Sequence, residues 1–169
     1  GLSAYPSSAL NPTKPPLGGH EAVGLGFAVL ILLLALGSFV AAGLPVLTAL
    51  LGVAIGVGTA FAMSSHYVMT TSTPALGLMI GLAVGIDYAL FILHKHRTLI
   101  VTEDLSQYDA VGRAVGTAGS AVVFAGLTVV TALLALLTLR IPFVTTMALT
   151  AASTVHLAVA ISVTALPAL

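Results

Sequence analysis

The residues able to do chemistry in this chain are few, and one pair sits where chemistry is least expected. Residues 77–93 read GLMIGLAVGIDYALFIL, an apolar run of helix-spanning length with Asp87 and Tyr88 near its middle. A bilayer crossing takes about 20 mostly apolar residues, and a charged side chain at mid-depth costs roughly 2.5 to 3.5 kcal/mol even on a lenient scale. Asp87 therefore requires a partner, a wet cavity or a bound proton. Ionisable groups inside spans mark ion and proton paths, and a phenol beside the acid can hydrogen-bond either of its protonation states. Asp87 and Tyr88 are the expected proton relay. The alternative is a structural acid that holds two helices together.

On a helix advancing about 100° per residue, Gly77, Gly81 and Gly85 fall on one narrow face, with Tyr88 beside them. A row of small residues lets another helix approach closely, so these glycines are expected to pack helices. Accessory relay candidates lie elsewhere. His94 stands seven positions beyond Asp87 on nearly the same face, about 10 Å along the axis. Ser120 and Thr128, with Thr117 and Thr131, make a hydroxyl stripe that either carries water toward Asp87 or bonds back to its own helix. His156 lies deep in apolar sequence beside Thr146, Thr150 and Ser153, where burial is expected, either as a neutral hydrogen-bonded group or as a second titrating one.

Other chemistries are disfavoured. There is no G-x-x-x-x-G-K-[ST] phosphate loop, so work done by this chain would draw on an ion gradient. Gly85-Ile86-Asp87 faintly resembles the Gly-x-Gly-Asp element of intramembrane aspartyl proteases, but that reaction needs two acids and Asp87 is the only one inside a span. No enzyme activity is expected. His94-x-His96 lacks further ligands at metal-binding spacing, and the absence of cysteine removes thiolate sites, so neither metal nor cofactor is expected.

Composition defines the setting. Hydrophobic residues make up 59% and charged residues 6% of the chain, and mean hydropathy is +1.17. A soluble domain carries about 25% charged residues, so this is a membrane protein whose first partner is the lipid bilayer. A net charge of zero without a basic cluster argues against nucleic acid. The start at Gly1 and the absence of a basic or apolar leader in residues 1–20 lead us to expect a piece of a longer polypeptide.

The elements that must position Asp87 follow from hydropathy and punctuation. Residues 1–20, rich in Pro, Gly and Ser/Thr, are expected to form an extracytoplasmic tail. Spans are expected at 22–42, 46–63, 75–93, 116–139 and 143–166. Gly43-Leu44-Pro45 is read as a stop and restart, Pro74 as a first-turn proline, and Arg140-Ile141-Pro142 as a tight turn. Residues 94–115 form the expected cytoplasmic loop with a short amphipathic helix. Lys95, Arg97 and Arg113 place it inside, against Lys14 and Arg140 on the other face. The expected fold is all-α, a polytopic bundle of five transmembrane helices.

Several stretches together resemble the MmpL branch of the RND transporter superfamily. They are Gly81-Leu82-Ala83-Val84-Gly85-Ile86-Asp87-Tyr88-Ala89-Leu90-Phe91-Ile92 with its basic end His94-Lys95-His96-Arg97, Glu21-Ala22-Val23-Gly24, and Gly37-Ser38-Phe39-Val40-Ala41-Ala42-Gly43-Leu44-Pro45. Ala114-Val115-Gly116-Thr117-Ala118-Gly119-Ser120-Ala121-Val122-Val123-Phe124 and Leu166-Pro167-Ala168-Leu169 match as well. The resemblance implies the second to sixth helices of an N-terminal repeat in a plasma-membrane exporter of lipids or hydrophobic small molecules driven by the proton gradient. Residues 1–20 would end its first porter domain. It also implies that Asp87-Tyr88 meets an equivalent pair from a second half absent from these residues. Some members carry a serine after the Phe of the fourth span, where this chain has Ala125. A scaffold or partner subunit that does not transport, with Asp87 and Tyr88 purely structural, is the alternative.

Overall fold

The first break in the chain is set by glycine. Gly37 takes φ +64°, a left-handed conformation open to glycine at little cost, and its N–H bonds the Leu33 carbonyl at 2.8 Å. Helix α1 (Gly19–Leu36) ends there, and α2 (Phe39–Met63) starts two residues later. The stop expected at Gly43-Leu44-Pro45 is therefore misplaced by six residues. Pro45 lies inside α2, buried, and gives up one backbone hydrogen bond without ending the helix. The Thr48 hydroxyl donates to the Leu44 and Pro45 carbonyls, both at 3.0 Å, in the turn that follows.

The computed structural model describes residues 19–63 and 72–168; of the expected tail at 1–20, Gly19 and His20 open α1 and the rest lies outside the described residues, as does most of the polar connection before Pro74. Helix α3 runs Ser72–Glu103, with buried Pro74 in its first turn, and continues ten residues beyond the apolar run. Most of the expected loop at 94–115 is thus helical. After Asp104, with φ 50°, Ser106 caps α4 (Gln107–Ala114): its Oγ accepts from the Asp109 N–H at 3.2 Å and donates to the Asp109 carboxylate at 2.6 Å.

A π-helical turn, Val115–Gly119, joins α4 to α5 (Ser120–Ala135), which tightens into a 3₁₀ turn at Leu136–Leu139. Arg140 is left-handed at φ 53°, and Pro142 opens α6 (Pro142–Thr164). A short 3₁₀ turn, Leu166–Ala168, closes the described chain. Every regular element among the described residues is helical. Four helical stretches are long and apolar enough to cross a membrane: Phe39–Ala62, Ser72–Glu103, Gln107–Leu139 and Pro142–Ala168. The apolar part of α1, Ala22–Leu36, is shorter, because Gly37 ends it before residue 42.

Helices α2, α3 and α6 pack mutually, α5 lies against α6, and α1 leans on α2. The centre of that triangle is Thr154 of α6, fully buried. Its hydroxyl bonds the Thr150 carbonyl at 2.8 Å, so the polar atom is satisfied within its own helix. The rest of the side chain enters a notch made by missing side chains. A Cβ at Gly81 would stand 2.4 Å from Thr154 Cγ2 and 2.7 Å from Val53 Cγ2, and one at Gly56 would meet the Thr154 Cα at 2.8 Å. Farther along, a Cβ at Gly77 would meet Thr150 Cγ2 at 2.9 Å, and one at Gly85 would meet the Ala49 backbone at 3.0 Å. Gly77, Gly81 and Gly85 thus lie where α3 presses on α2 and α6 at near-backbone distance. Lipid tails are as apolar as a core, so such close packing is a main source of helix association within a membrane.

Gly81→Ala is expected to destabilise the bundle by about 1–3 kcal/mol through overpacking. Thr154→Ser, which deletes the methyl that the new Cβ would strike, should recover part of that loss. Thermal unfolding of the purified variants in detergent measures both.

Candidate functional site

Asp87 stands halfway along α3 (Ser72–Glu103), two residues beyond Gly85. The glycines turn one face of α3 toward α2 and α6, and Asp87 falls on the opposite, uncovered side. It is exposed, in a row with Met79, Ala83, Phe91 and His94, all exposed as well. Among the described residues no hydrogen bond or ion pair reaches its carboxylate. The described residues therefore carry an acid in the middle of a span-length apolar helix and supply it with no hydrogen-bond or ion-pair partner.

Tyr88, about 100° around the helix, points elsewhere. It is half-buried against Ala89, Ile92, Ala118, Val122 and Leu166, where α3 meets the start of α5 and the end of α6. One residue of the pair is thus anchored in the bundle while its neighbour faces out. Beside Asp87, an apolar cleft of about 380 Å³ opens between α1 and α3, lined by Gly24, Leu25, Ala28, Met79, Ala83 and Ile86 among others.

The other expected site residues do not converge on this pair. Among the described residues no hydrogen bond joins Asp87 or Tyr88 to His94, Ser120, Thr128 or His156. The stripe on α5 bonds back to its own helix: Thr117 to the Arg113 carbonyl at 2.7 Å, Ser120 to Thr117 at 2.7 Å, Thr128 to Phe124 at 2.9 Å and Thr131 to Leu127 at 2.7 Å. All four hydroxyl residues lie on exposed surface. His156 is exposed too, which overturns its expected burial: Val155 and Ala158 take the inward positions of that turn, and position 156 faces out. No group of residues able to hold a metal ion occurs among the described residues.

Two features escaped the sequence reading. Arg97 reaches across from α3 and donates from Nη1 to the Leu36 carbonyl, the last residue of α1. A guanidinium at a helix C-terminus satisfies an orphan carbonyl and complements the helix dipole. This bond sets the Gly37-Ser38 turn at the same end of the bundle as Lys95 and Arg97, the end where Arg113 pairs with Glu103 at 3.0 Å. The second feature is the π turn at Val115–Gly119; its signal was the spacing Gly112, Gly116 and Gly119 in a segment that otherwise reads as continuous helix.

An apolar cleft, an exposed mid-helix acid and a glycine-packed support sit together in an apolar helical bundle, and comparison with known proteins gives its family. The sequence profile of the MMPL family matches residues 13–169. The chain belongs to the MMPL family. It is 44% identical over 169 residues to membrane protein YdfJ of Bacillus subtilis, covering 99% of this chain and 23% of that protein. It is 31% identical over 168 residues to the mycolic acid-containing lipids exporter MmpL11 of Mycolicibacterium smegmatis, covering 99% of this chain and 18% of the relative. It is also 33% identical over 149 residues to the probable trehalose monomycolate exporter MmpL3 of Mycobacterium leprae, covering 88% and 15%. The chain thus spans less than a quarter of the length of these relatives. Its apolar helices and its relatives make it a multi-pass membrane protein of the MMPL family.

Replacing Arg97 by Ala should release the end of α1, so amides in its last turn exchange with deuterium at least about tenfold faster, the equivalent of a charge-assisted hydrogen bond of 1.5 kcal/mol or more. Arg97→Lys should keep part of the protection. Hydrogen exchange followed by mass spectrometry reads the difference.

Proposed function

We propose that this MMPL-family chain is part of a transporter that exports lipids or other hydrophobic molecules at the expense of the proton gradient. In this reading Asp87 takes up and releases the proton. The observation that carries it is the exposed, unpartnered Asp87 at the midpoint of a helix whose opposite face is locked by Gly77, Gly81 and Gly85. A permanent charge there, facing lipid, is costly, whereas a carboxyl that alternates between protonated and ionised forms against a polar partner has a use for the position. The partner is a helix contributed from outside these residues, in keeping with relatives several times longer than this chain.

Tyr88 serves as the neighbouring hydroxyl, positioned by its packing against Ile92, Val122 and Leu166. The relatives MmpL11, a mycolic acid-containing lipids exporter, and MmpL3, a probable trehalose monomycolate exporter, support the substrate class. The end of the bundle that carries Lys95, Arg97 and Arg113 faces the cytoplasm, since basic residues in short connections remain inside. The apolar cleft between α1 and α3 beside Asp87 supports a site where acyl chains approach the acid.

Among the described residues Asp87 is exposed and has no hydrogen bond or ion pair, so Asp87→Asn in the full-length protein should leave the folded yield within about twofold, in line with surface substitutions. Proton uptake into proteoliposomes under an imposed pH gradient should fall to background. Undiminished proton uptake would reject the relay. Loss of assembled protein instead would show Asp87 to be structural glue in a scaffold.

A further inference from the structure

The mechanism above gives the proton a carrier but no way out of the bundle, and the structure holds a cavity in the right place. At the end bearing the basic residues a cavity of about 420 Å³ lies among α2, α3, α4 and the terminal 3₁₀ turn, within the size range of about 300–1,000 Å³ typical of binding sites. Its lining includes Leu44, Ile92, His96, Val111, Val115 and Leu166, and exposed Gln107, Tyr108 and Ala168 form its rim.

Three facts connect this cavity to the Asp87-Tyr88 pair. Tyr88, Ile92 and His96 succeed one another four residues apart, which places them along one side of α3, with His96 about 12 Å from Tyr88 along the axis. Ile92 and Leu166 belong both to the cavity wall and to the apolar cluster that Tyr88 packs against, so the inner end of the cavity lies one helical turn from the phenol. Finally, Nε2 of His96 is the buried side-chain nitrogen or oxygen that has no hydrogen-bond partner among the described residues. A buried polar atom without a partner calls for an explanation, and its residue lines a cavity roomy enough for several waters.

We propose that this cavity is the aqueous exit of the proton path and that His96 is its proton-transferring residue, with Ile92 and Leu166 as the apolar plug between water and Tyr88. The proposal rests on the relay reading for the source of the proton. When water threads past Ile92 and Leu166, an O–H bond of the pair breaks, water carries the proton to the imidazole nitrogen and an N–H bond forms there; the imidazolium N–H bond then breaks as cavity water gains an O–H bond. No electrons change hands, and water is the co-reactant. Imidazole can take up and release a proton under physiological conditions, which suits it to this role. The other titratable residue in the lining is Tyr108 of α4; Leu44 of α2 and Leu166, Pro167 and Ala168 bring none. Lys95 and Arg97 flank His96 on α3, with Arg97 engaged by the α1 carbonyl, and Arg113 on α4 is engaged by Glu103. His94, two residues away, lies exposed outside the lining and has no part in the path.

Two measurements on the full-length protein test this. In inside-out vesicles, His96→Cys should react with a membrane-impermeant maleimide, while Ile92→Cys, one turn deeper, should react at least tenfold more slowly; no reaction at His96→Cys overturns the aqueous exit. In proteoliposomes, His96→Ala should slow gradient-driven proton uptake about tenfold or more. Added imidazole should restore it, and pyrazole, a ring of the same size but a much weaker base, should not. His96→Gln keeps a hydrogen-bonding group without the proton transfer and should stay slow; a Gln variant at the wild-type rate, or an Ala variant deaf to imidazole, overturns the role of His96. Reactive His96→Cys together with an Asp87→Asn variant that still takes up protons would refute the relay and leave the cavity standing. A dead Asp87→Asn with unreactive His96→Cys would do the reverse.

Discussion

Three helices meet around one threonine because the glycines that face it have no side chain. Thr154 occupies the space that Cβ atoms at Gly56 and Gly81 would need, and Gly77 and Gly85 extend the same close approach along α3. In water, burying apolar side chains would draw these helices together. Inside a bilayer that drive is absent, and close van der Waals packing between complementary surfaces takes its place. The notch therefore does for this bundle what a hydrophobic core does for a soluble domain. It also explains why Thr154 is tolerated at full burial: its hydroxyl returns to the Thr150 carbonyl, so no unsatisfied polar group is pressed against the glycines.

That packing dictates where the acid goes. A helix has one circumference, and α3 devotes the glycine side to α2 and α6. Asp87 comes two residues after Gly85 and so falls far from the buried face, while Tyr88 follows it back toward the cluster of Ile92, Val122 and Leu166. The open side is not confined to α3. Over an apolar 18-residue window of each stretch, 44% of residues are buried in α2 and α6, against 28% in α3 and 11% in the stretch containing α5. The helices that carry the acid and the hydroxyl stripe are thus less covered by the described residues than α2 and α6 are.

How much of this the sequence revealed depends on what kind of signal each feature leaves. The all-helical membrane class and the apolar stretches follow from hydropathy, which registers at every residue. The glycine face of α3 was legible because a period of four is visible without knowing the partner. Its receptor was not, since Thr154 looks like any other hydroxyl in α6 until α2 and α3 are laid against it. Pro45 misled because a proline inside a helix costs one hydrogen bond, a cost that a membrane bundle can absorb, whereas the true break at Gly37 depends on a backbone angle that composition does not display. His156 misled for a related reason: in a helix apolar on all sides, hydropathy does not say which side is in. Arg97, read only as a marker of orientation, turned out to hold the end of α1 across 61 positions of sequence, a contact with no local trace.

The same geometry constrains how α3 is able to move. Its glycine face is tightly filled by the methyl groups of Val53, Thr150 and Thr154 and by the Ala49 backbone, so sliding α3 along its axis would drive Val53 or Thr154 into the helix backbone. At its basic end Arg97 ties it to the last carbonyl of α1. Displacement of α3 is therefore shared by α2 and α6 through the notch and by α1 through the guanidinium, while α5, which touches α6 and only the start of whose run meets α3, follows indirectly. The π turn at Val115–Gly119 lies between α4, packed on the end of α3, and α5, packed on α6. A wide turn with glycines at 116 and 119 is the part of that long helix least committed to one register, so relative motion of its two halves is absorbed there before it strains either packed end.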